Sequence, residues 1–135
     1  MVGSTAPAIL VVDDEPEIRG LLLDCLEIHG YRVVAAPDPA AAMTILATQA
    51  EIHLMLTDIV MPGGMNGFEL GRAAQANRPD LAVLYMSGYA LGEHGGDATA
   101  PAPPILQKPF RFEDVLEAIA EALAPPAAAR HPRIV

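Results

Sequence analysis

The residues best suited to chemistry in this chain stand directly after short apolar stretches. They are Asp13, Asp14, Asp58, Ser87 and Lys108. Three carboxylates held close together repel one another by several kcal/mol at intermediate dielectric, so they stay ionised together only around a cation. Oxygen ligands with no histidine or cysteine among them suit a hard ion, which here predicts Mg²⁺ or Mn²⁺.

Asp58 is the candidate nucleophile of this set. A carboxylate can attack phosphorus and form an acyl phosphate, and a metal ion would neutralise phosphoryl oxygens in the transition state. Lys108 would supply a second positive charge, and Ser87 a hydroxyl that donates to a phosphoryl oxygen. Taken alone, Asp13 and Asp14 fit the cap of a helix equally well, and Ser87 fits an ordinary turn. The combination of all five favours phosphoryl chemistry.

The elements that position these residues alternate between strand and helix patterns. Apolar, β-branched runs predict five strands buried on both faces, at Ile9–Val12, Tyr31–Ala36, His53–Thr57, Leu81–Met86 and Ile105–Gln107. Helical spacing, Pro16, Asp38 and Gly30 predict helices over residues 16–29, 39–49, 68–76 and 112–124. Such alternation predicts a parallel sheet with right-handed crossovers, whose strands present their carboxyl ends at one ligand-binding edge.

Two of these helices carry apolar residues at helical spacing, which predicts that they face the core. In the first helix the residues are Ile18, Leu21, Leu22, Cys25 and Ile28. In the last helix they are Phe112, Val115, Leu116, Ile119 and Leu123. We therefore assign the single cysteine to core packing and not to a reactive role.

The segment 90–104 departs from this regular pattern. It holds three glycines and three prolines, and each glycine costs a helix about 1 kcal/mol and each proline about 3 kcal/mol. The sequence therefore predicts a fourth helix that is short or irregular, with at most a turn or two near Ala90–His94 and a mobile loop beyond. Residues 1–7 and 125–135 are predicted to be disordered or flexible, which leaves one domain over residues 8–124.

Composition excludes several classes of function. A net charge of −9 argues against direct nucleic-acid binding, which needs a basic surface. No apolar stretch approaches the ~18 residues of a membrane span, and the N-terminus lacks the basic region of a signal peptide. One cysteine permits no internal disulfide, so we expect a reducing, cytoplasmic location. The four histidines are scattered without metal-ligand spacing, and none is assigned a function.

Over residues 8–124 the chain resembles the receiver domains of bacterial two-component systems. The motifs that carry the resemblance are, in order, Val11–Glu15, Asp58–Pro62 with Asn66–Gly67, Met86–Tyr89 and Gln107–Phe110. It implies a doubly wound, five-stranded α/β fold of the flavodoxin-like type with strand order 2-1-3-4-5. It also implies that Asp58 accepts a phosphoryl group from phosphohistidine on a histidine kinase or histidine phosphotransfer protein. The implied metal ligands are Asp14, Asp58 and the backbone carbonyl of Val60, with Asp13 assisting partly through water.

Two departures from the family pattern concern the output of the domain. Ile105 stands where family members often carry the aromatic residue that turns inward on activation, and the fourth-helix segment is rich in glycine and proline. We therefore expect the switch to involve Ser87 and the hinge at Gly88 and Tyr89, while Pro109 fixes the turn after the lysine. The downstream protein partner is unknown, and a homodimer, if one forms, would use the face made by the last strand and last helix. The loop after Asp58 resembles receivers of hybrid kinases, so a stand-alone protein and a kinase fragment both stay open.

The same residues argue against three other functions. A phosphohydrolase of the haloacid-dehalogenase type needs a second acid two residues after the nucleophile, where this chain has Val60. A flavodoxin-like cofactor module needs a loop rich in backbone donors after the first strand, where Asp13–Pro16 would repel phosphate. A receiver that only binds partners is disfavoured because no acceptor-site residue is missing. The domain is therefore expected to catalyse only its own phosphorylation and dephosphorylation.

Overall fold

The structure is a computed structural model that describes residues 6–49, 51–61, 65–87, 105–108 and 111–123 of the 135. Its elements are β1 (Ala8–Val12), α1 (Pro16–Ile28), β2 (Arg32–Ala36), α2 (Pro39–Thr48), β3 (Leu54–Asp58), α3 (Gly67–Asn77), β4 (Ala82–Ser87), β5 (Ile105–Gln107) and α4 (Phe112–Leu123). The five predicted strands and the four helices predicted over residues 16–29, 39–49, 68–76 and 112–124 are found, with ends that differ by at most two residues. The expected irregular helix in 90–104 and the tail 125–135 lie outside the described residues, as do Gly88, Tyr89 and Pro109.

The five strands form one parallel sheet in the order β2-β1-β3-β4-β5, which confirms the predicted strand order. Strand β1 lies next to the β2 edge and pairs with β2 on one side and with the central strand β3 on the other. At the far edge, β5 pairs with β4 through the partners Tyr85 and Ile105, Met86 and Leu106, and Ser87 and Gln107. The chain therefore reverses its direction of winding beside β1, where β1 and β3 end next to each other.

The sheet separates two apolar cores, because successive side chains of a strand point to opposite faces. In β1, Ile9 and Val11 pack with residues of α1 and α4 in one core. Leu10 and Val12 pack with residues of α2 and α3 in the other. All five residues of β1 are buried, as expected of a strand covered by helices on both faces.

Helix α1 faces the sheet with a different stripe from the one we predicted. Leu22 and Leu26, which lie one turn apart, are fully buried, and Ile18 packs against them. Leu21 and Ile28 are 53% and 79% exposed, so their assignment to the core was wrong. Because the helix carries apolar residues on more than one side, spacing alone did not determine which stripe meets the strands. The free Cys25 is half-buried beside that stripe.

Helix α4 follows the prediction except at its first residue. Val115 and Ile119 are fully buried, and Leu116 and Leu123 pack against the same core. Phe112 is 39% exposed, so the prediction that it belongs to the core face was wrong. No helix in the described ranges is long and apolar enough to cross a membrane.

Capping residues and a glycine fix the ends of two helices near the predicted positions. The Asp38 carboxylate accepts a hydrogen bond from the Ala41 N–H at 2.8 Å and caps α2. Gly30 follows α1 with φ of +95°, a conformation that glycine adopts readily. Ala6 and Pro7, which we had counted with the disordered terminus, accept hydrogen bonds from Arg32 through their carbonyl oxygens.

Candidate functional site

The predicted acidic cluster is present at the carboxyl edge of the sheet. One carboxylate oxygen from each of Asp13, Asp14 and Asp58 lies within 4.8 Å of the other two. Asp13 and Asp14 follow β1, and Asp58 is the last residue of β3, so the cluster forms where two adjacent parallel strands end. Asp13 and Asp58 are buried and Asp14 is exposed, which leaves one open side to the cluster.

Asp13 is fixed by contacts at each of its polar groups. Its N–H donates to the Ala36 carbonyl at 3.2 Å, which extends the pairing of β1 with β2 into the turn. Its carbonyl accepts from the Arg19 guanidinium at 2.7 Å, and its two carboxylate oxygens accept from the Glu15 N–H at 2.8 Å and from Lys108 at 3.0 Å. The turn that carries the acidic pair is therefore held from the sheet, from α1 and from Lys108.

Lys108 lies at the centre of the site. Its ammonium nitrogen forms ion pairs with Asp13 at 3.0 Å, Glu15 at 3.2 Å and Asp58 at 3.3 Å. Its backbone N–H donates to the Ser87 carbonyl, which anchors the end of β5 to the end of β4. Burial alone would lower the pKa of Lys108, but the hydrogen bond to Asp13 and the negative charges of Asp58 and Asp13 raise it. The lysine is therefore held as a cation.

Asp58 lies in an environment that disfavours its charge. Its side chain is 9% exposed, with one oxygen accepting from the Ile59 N–H at 3.0 Å and the other from Lys108 at 3.3 Å. Burial and the nearby charge of Asp13 raise its pKa to about 6, against the lowering effect of Lys108. A second cation at the acidic cluster would favour the ionised carboxylate, which is the form that can act as a nucleophile.

The backbone beside Asp58 is held by the start of α3. The Gly67 N–H donates to the Ile59 carbonyl at 2.7 Å. A Cβ atom at Gly67 would meet the Asp58 carbonyl oxygen and would lie 2.8 Å from the Ile59 Cα. Glycine is therefore required here by the close approach of two backbone segments. Val60, the predicted carbonyl ligand, lies in the same turn and is 48% exposed.

The remaining predicted residues lie on the side of the site toward β4 and β5. Ser87 ends β4, is 1% exposed, and is joined to Lys108 through its own backbone carbonyl. Ile105 is paired with Tyr85 in the register of β4 and β5. The structure thus brings the ends of β1, β3, β4 and β5 to one edge, as the positions of the polar residues predicted.

Three residues that contact the site, Glu15, Arg19 and Thr57, have no site role predicted from the sequence. Glu15 contacts Lys108, Arg19 contacts the Asp13 backbone, and the Thr57 hydroxyl donates to the Asp58 carbonyl at 2.9 Å. The four-residue spacing of Glu15 and Arg19 at the start of α1 was the available signal, since it places both near the turn. The sequence places Glu15 in the Val11–Glu15 motif and at the start of a helix, without predicting its contact with Lys108.

The composition of the cluster fits a hard divalent cation. Its donors are carboxylate oxygens, with neither histidine nor cysteine among them. The carboxylates of Asp13, Glu15 and Asp58 surround a single ammonium group, and Asp14 adds a fourth negative charge beside them. Lys108 is the one cation that forms ion pairs with these carboxylates among the described residues, and Arg19 contacts only the Asp13 backbone, so negative charge exceeds positive charge here and a divalent ion would be attracted.

Comparison with known proteins places the chain in a family. The model of the response regulator receiver domain matches residues 9–120. The chain therefore belongs to the response regulator receiver family, and the resemblance seen in the sequence motifs is confirmed. It is a receiver domain of two-component phosphorelay systems, a family of signalling proteins and not of conventional enzymes.

Individual relatives agree with this assignment. The chain is 36% identical over 116 residues to the response regulator receiver protein CpdR of Brucella abortus, which covers 85% of this chain and 95% of that protein. It is 33% identical to the response regulator protein FleR of Pseudomonas aeruginosa, covering 85% of this chain but only 24% of that longer protein. A crystal structure of a receiver protein from Sinorhizobium medicae superposes with a TM-score of 0.78 at 29% identity, covering 89% of this chain and 96% of the other.

Proposed function

We propose that this domain accepts a phosphoryl group on Asp58 and thereby switches a surface that another protein binds. The observation that carries the proposal is the contact of Lys108 with Asp58, at 3.3 Å, beside the acidic cluster. The donor would be phosphohistidine on a histidine kinase or histidine phosphotransfer protein, partners with which receiver domains interact. Mg²⁺ or Mn²⁺ would be held by Asp14, Asp58 and the Val60 carbonyl with help from Asp13, and when bound would neutralise phosphoryl oxygens.

Asp58, Lys108 and Ser87 would each have a separate role in phosphoryl transfer. Asp58 provides the attacking oxygen: the phosphorus–nitrogen bond of the donor breaks as the phosphorus–oxygen bond forms, and the imidazole leaves. Lys108 is a partly buried cation that can bind a phosphoryl oxygen in the same position from which it now contacts Asp58. Ser87 ends the adjacent strand and would donate its hydroxyl to another phosphoryl oxygen. The domain turns over only its own phosphoryl group, in a cytoplasmic setting.

The output of the switch is also part of the proposal. Movement of Ser87 toward the phosphoryl group would pull on Gly88 and Tyr89 and change the segment 90–104, within a domain that spans residues 8–124. Ile105 has no aromatic ring, so the change in segment 90–104 would not depend on an aromatic side chain turning inward at this position. The downstream partner would read the altered segment, and a homodimer would form through β5 and α4.

Phosphorylation of Asp58 is tested with acetyl phosphate and Mg²⁺. Intact-mass spectrometry should show the addition of one phosphoryl group to the wild-type domain and none to Asp58→Asn. Asp24→Asn is the matched control, because it removes one exposed carboxylate of α1 and should leave labelling unchanged. Labelling of Asp58→Asn to the same extent as the wild type would refute the assignment.

A further inference from the structure

The three ion pairs of Lys108 use its whole capacity to donate hydrogen bonds. An ammonium group has three N–H donors and no acceptor. Asp13, Glu15 and Asp58 each accept from it, at 3.0, 3.2 and 3.3 Å. A phosphoryl oxygen arriving at Asp58 would be a fourth acceptor, so one of the three present contacts must be given up.

The surroundings of the three carboxylates indicate which contact breaks. The Asp13 side chain is 0% exposed and that of Asp58 is 9% exposed, whereas that of Glu15 is 60% exposed. Until the phosphorus–oxygen bond forms, Asp58 is still a carboxylate, so releasing either buried carboxylate would leave an uncompensated charge out of water, which is costly. Releasing Glu15 exposes its carboxylate to solvent, which replaces the lost hydrogen bond, and exposed ion pairs contribute little to stability.

Glu15 has no other role in the described structure that would hold it there. It is the N-cap residue of α1, yet its side chain caps no backbone N–H of the helix. Its own backbone N–H is already satisfied by Asp13. The side chain is therefore available to Lys108 in the unphosphorylated domain and to solvent when it is displaced.

We propose that Glu15 competes with the incoming phosphoryl group for Lys108 and so slows phosphorylation of Asp58. It occupies a lysine donor that the phosphoryl oxygen needs before the phosphorus–oxygen bond has formed. The inference rests on the proposed phosphorylation of Asp58 and adds to it a residue that sets the rate. Glu15 acts through Lys108, so it is a positioning residue and does not contact the reacting atoms.

The test measures the rate of labelling with acetyl phosphate and Mg²⁺ in four proteins. Glu15→Gln should be phosphorylated about two- to fivefold faster than the wild type, the range spanned by an exposed ion pair. Glu15→Asp keeps the charge but withdraws it by one methylene group, so it should also be faster if contact with Lys108 matters. Glu17→Gln removes the same charge from the first turn of α1 and should behave as the wild type.

A second measurement does not depend on phosphorylation. The ¹⁵N signal of the Lys108 ammonium group, assigned with Lys108→Arg, should shift in Glu15→Gln and stay in place in Glu17→Gln. The inference would be overturned, even if Asp58 is labelled, by equal labelling rates in Glu15→Gln and Glu17→Gln. A Lys108 ¹⁵N signal that does not shift in Glu15→Gln would overturn it as well. Absence of labelling in every protein would refute the proposed function instead, while the Lys108 signal would still decide whether the contact exists.

Discussion

The Asp58 carboxyl is placed where folding favours its protonated form. Its pKa is raised from 3.8 to about 6, first by burial and then by the charge of Asp13. The buried position of Asp58 at the end of β3 therefore lowers the stability of the folded domain whenever the carboxyl is ionised without a bound metal. A site that is destabilised by its own charge is well prepared to bind a cation.

The first prediction follows from this shift. Because folding raises the pKa of Asp58, the protonated Asp58 carboxyl stabilises the folded domain relative to the ionised one. This contribution is fully present below the unfolded-state pKa of 3.8 and is lost as the pH rises through about 6. In chelator, the unfolding free energy of the wild type should therefore fall by about 2 kcal/mol relative to Asp58→Asn between pH 4 and pH 8. Urea denaturation at a series of pH values measures this difference.

Addition of saturating Mg²⁺ is the control for that experiment. A cation at the cluster favours the ionised carboxylate, so the fall with pH should become smaller when the metal is present. A difference between wild type and Asp58→Asn that stays constant from pH 4 to pH 8 in chelator would show that burial does not disfavour the charge of Asp58.

For individual residues, the sequence predicts which ones belong to the site, but it does not predict which of them contact one another. Asp14, Asp58 and Lys108 could be assigned because a parallel sheet gathers the carboxyl ends of its strands at one edge. The partners of Lys108 could not, since three carboxylates compete for one ammonium group and the distances depend on the turn after β1. Glu15 could therefore be placed in the Val11–Glu15 motif and at the start of a helix, but its contact with Lys108 could not be predicted.

At the scale of elements, the start of α3 controls the backbone of the acceptor. Gly67 is the first residue of α3, and its N–H and missing side chain let the helix lie directly against Asp58 and Ile59. The capping box formed by Asn66 and Glu69 fixes where this helix begins. The position of the acceptor therefore depends on contacts between elements as well as on β3 itself.

The second prediction compares two glycine-to-alanine changes. Gly67→Ala places a Cβ against the Asp58 carbonyl and should lower the unfolding free energy by about 1–3 kcal/mol, as overpacking does. It should also slow labelling of Asp58. Gly20→Ala is the matched control, because no atom lies within 4 Å of its added Cβ and alanine favours a helix by about 1 kcal/mol. Chemical denaturation should show a lower unfolding free energy for Gly67→Ala and a higher one for Gly20→Ala. A Gly67→Ala protein that is more stable than the wild type would contradict the close approach of Gly67 to the Asp58 backbone.

Helix faces show where sequence patterns stop being informative. The type and order of the elements could be predicted because each strand is a short apolar run and each helix has a recognisable start or end. The buried stripe of α1 could not, since Leu21 and Ile28 are as apolar as the buried Leu22 and Leu26. The choice is made by the position of the helix over the sheet, which depends on contacts distant in sequence.

At the scale of the whole molecule, charge and metal binding act together. The chain carries a net charge of −9, and the acidic cluster concentrates part of that charge at one edge of the sheet. Self-repulsion of this kind destabilises the metal-free fold, and a ligand that binds only the folded state stabilises it by mass action. The metal should therefore change the stability of the entire domain and not only its reactivity.

The last prediction concerns Asp14, the exposed member of the cluster. At a Mg²⁺ concentration one hundred times its dissociation constant, the wild type should gain about 2.7 kcal/mol, seen as a rise of several degrees in Tm. Asp14→Asn should lose most of this gain, because a carboxylate ligand is missing. In chelator the same variant should melt no lower than the wild type, since removing one of three close carboxylates relieves repulsion.

Thermal melts at constant ionic strength separate specific binding of the metal from general screening by salt. Asp24→Asn is the matched variant, because it removes one exposed carboxylate of α1 outside the cluster and changes the net charge equally. It should keep the full response to Mg²⁺. An Asp14→Asn protein with an undiminished response would place the metal elsewhere, and one that melts lower than the wild type in chelator would give Asp14 a structural role. If Asp14→Asn loses the response to Mg²⁺ and melts no lower than the wild type in chelator, Asp14 serves metal binding and not the stability of the fold.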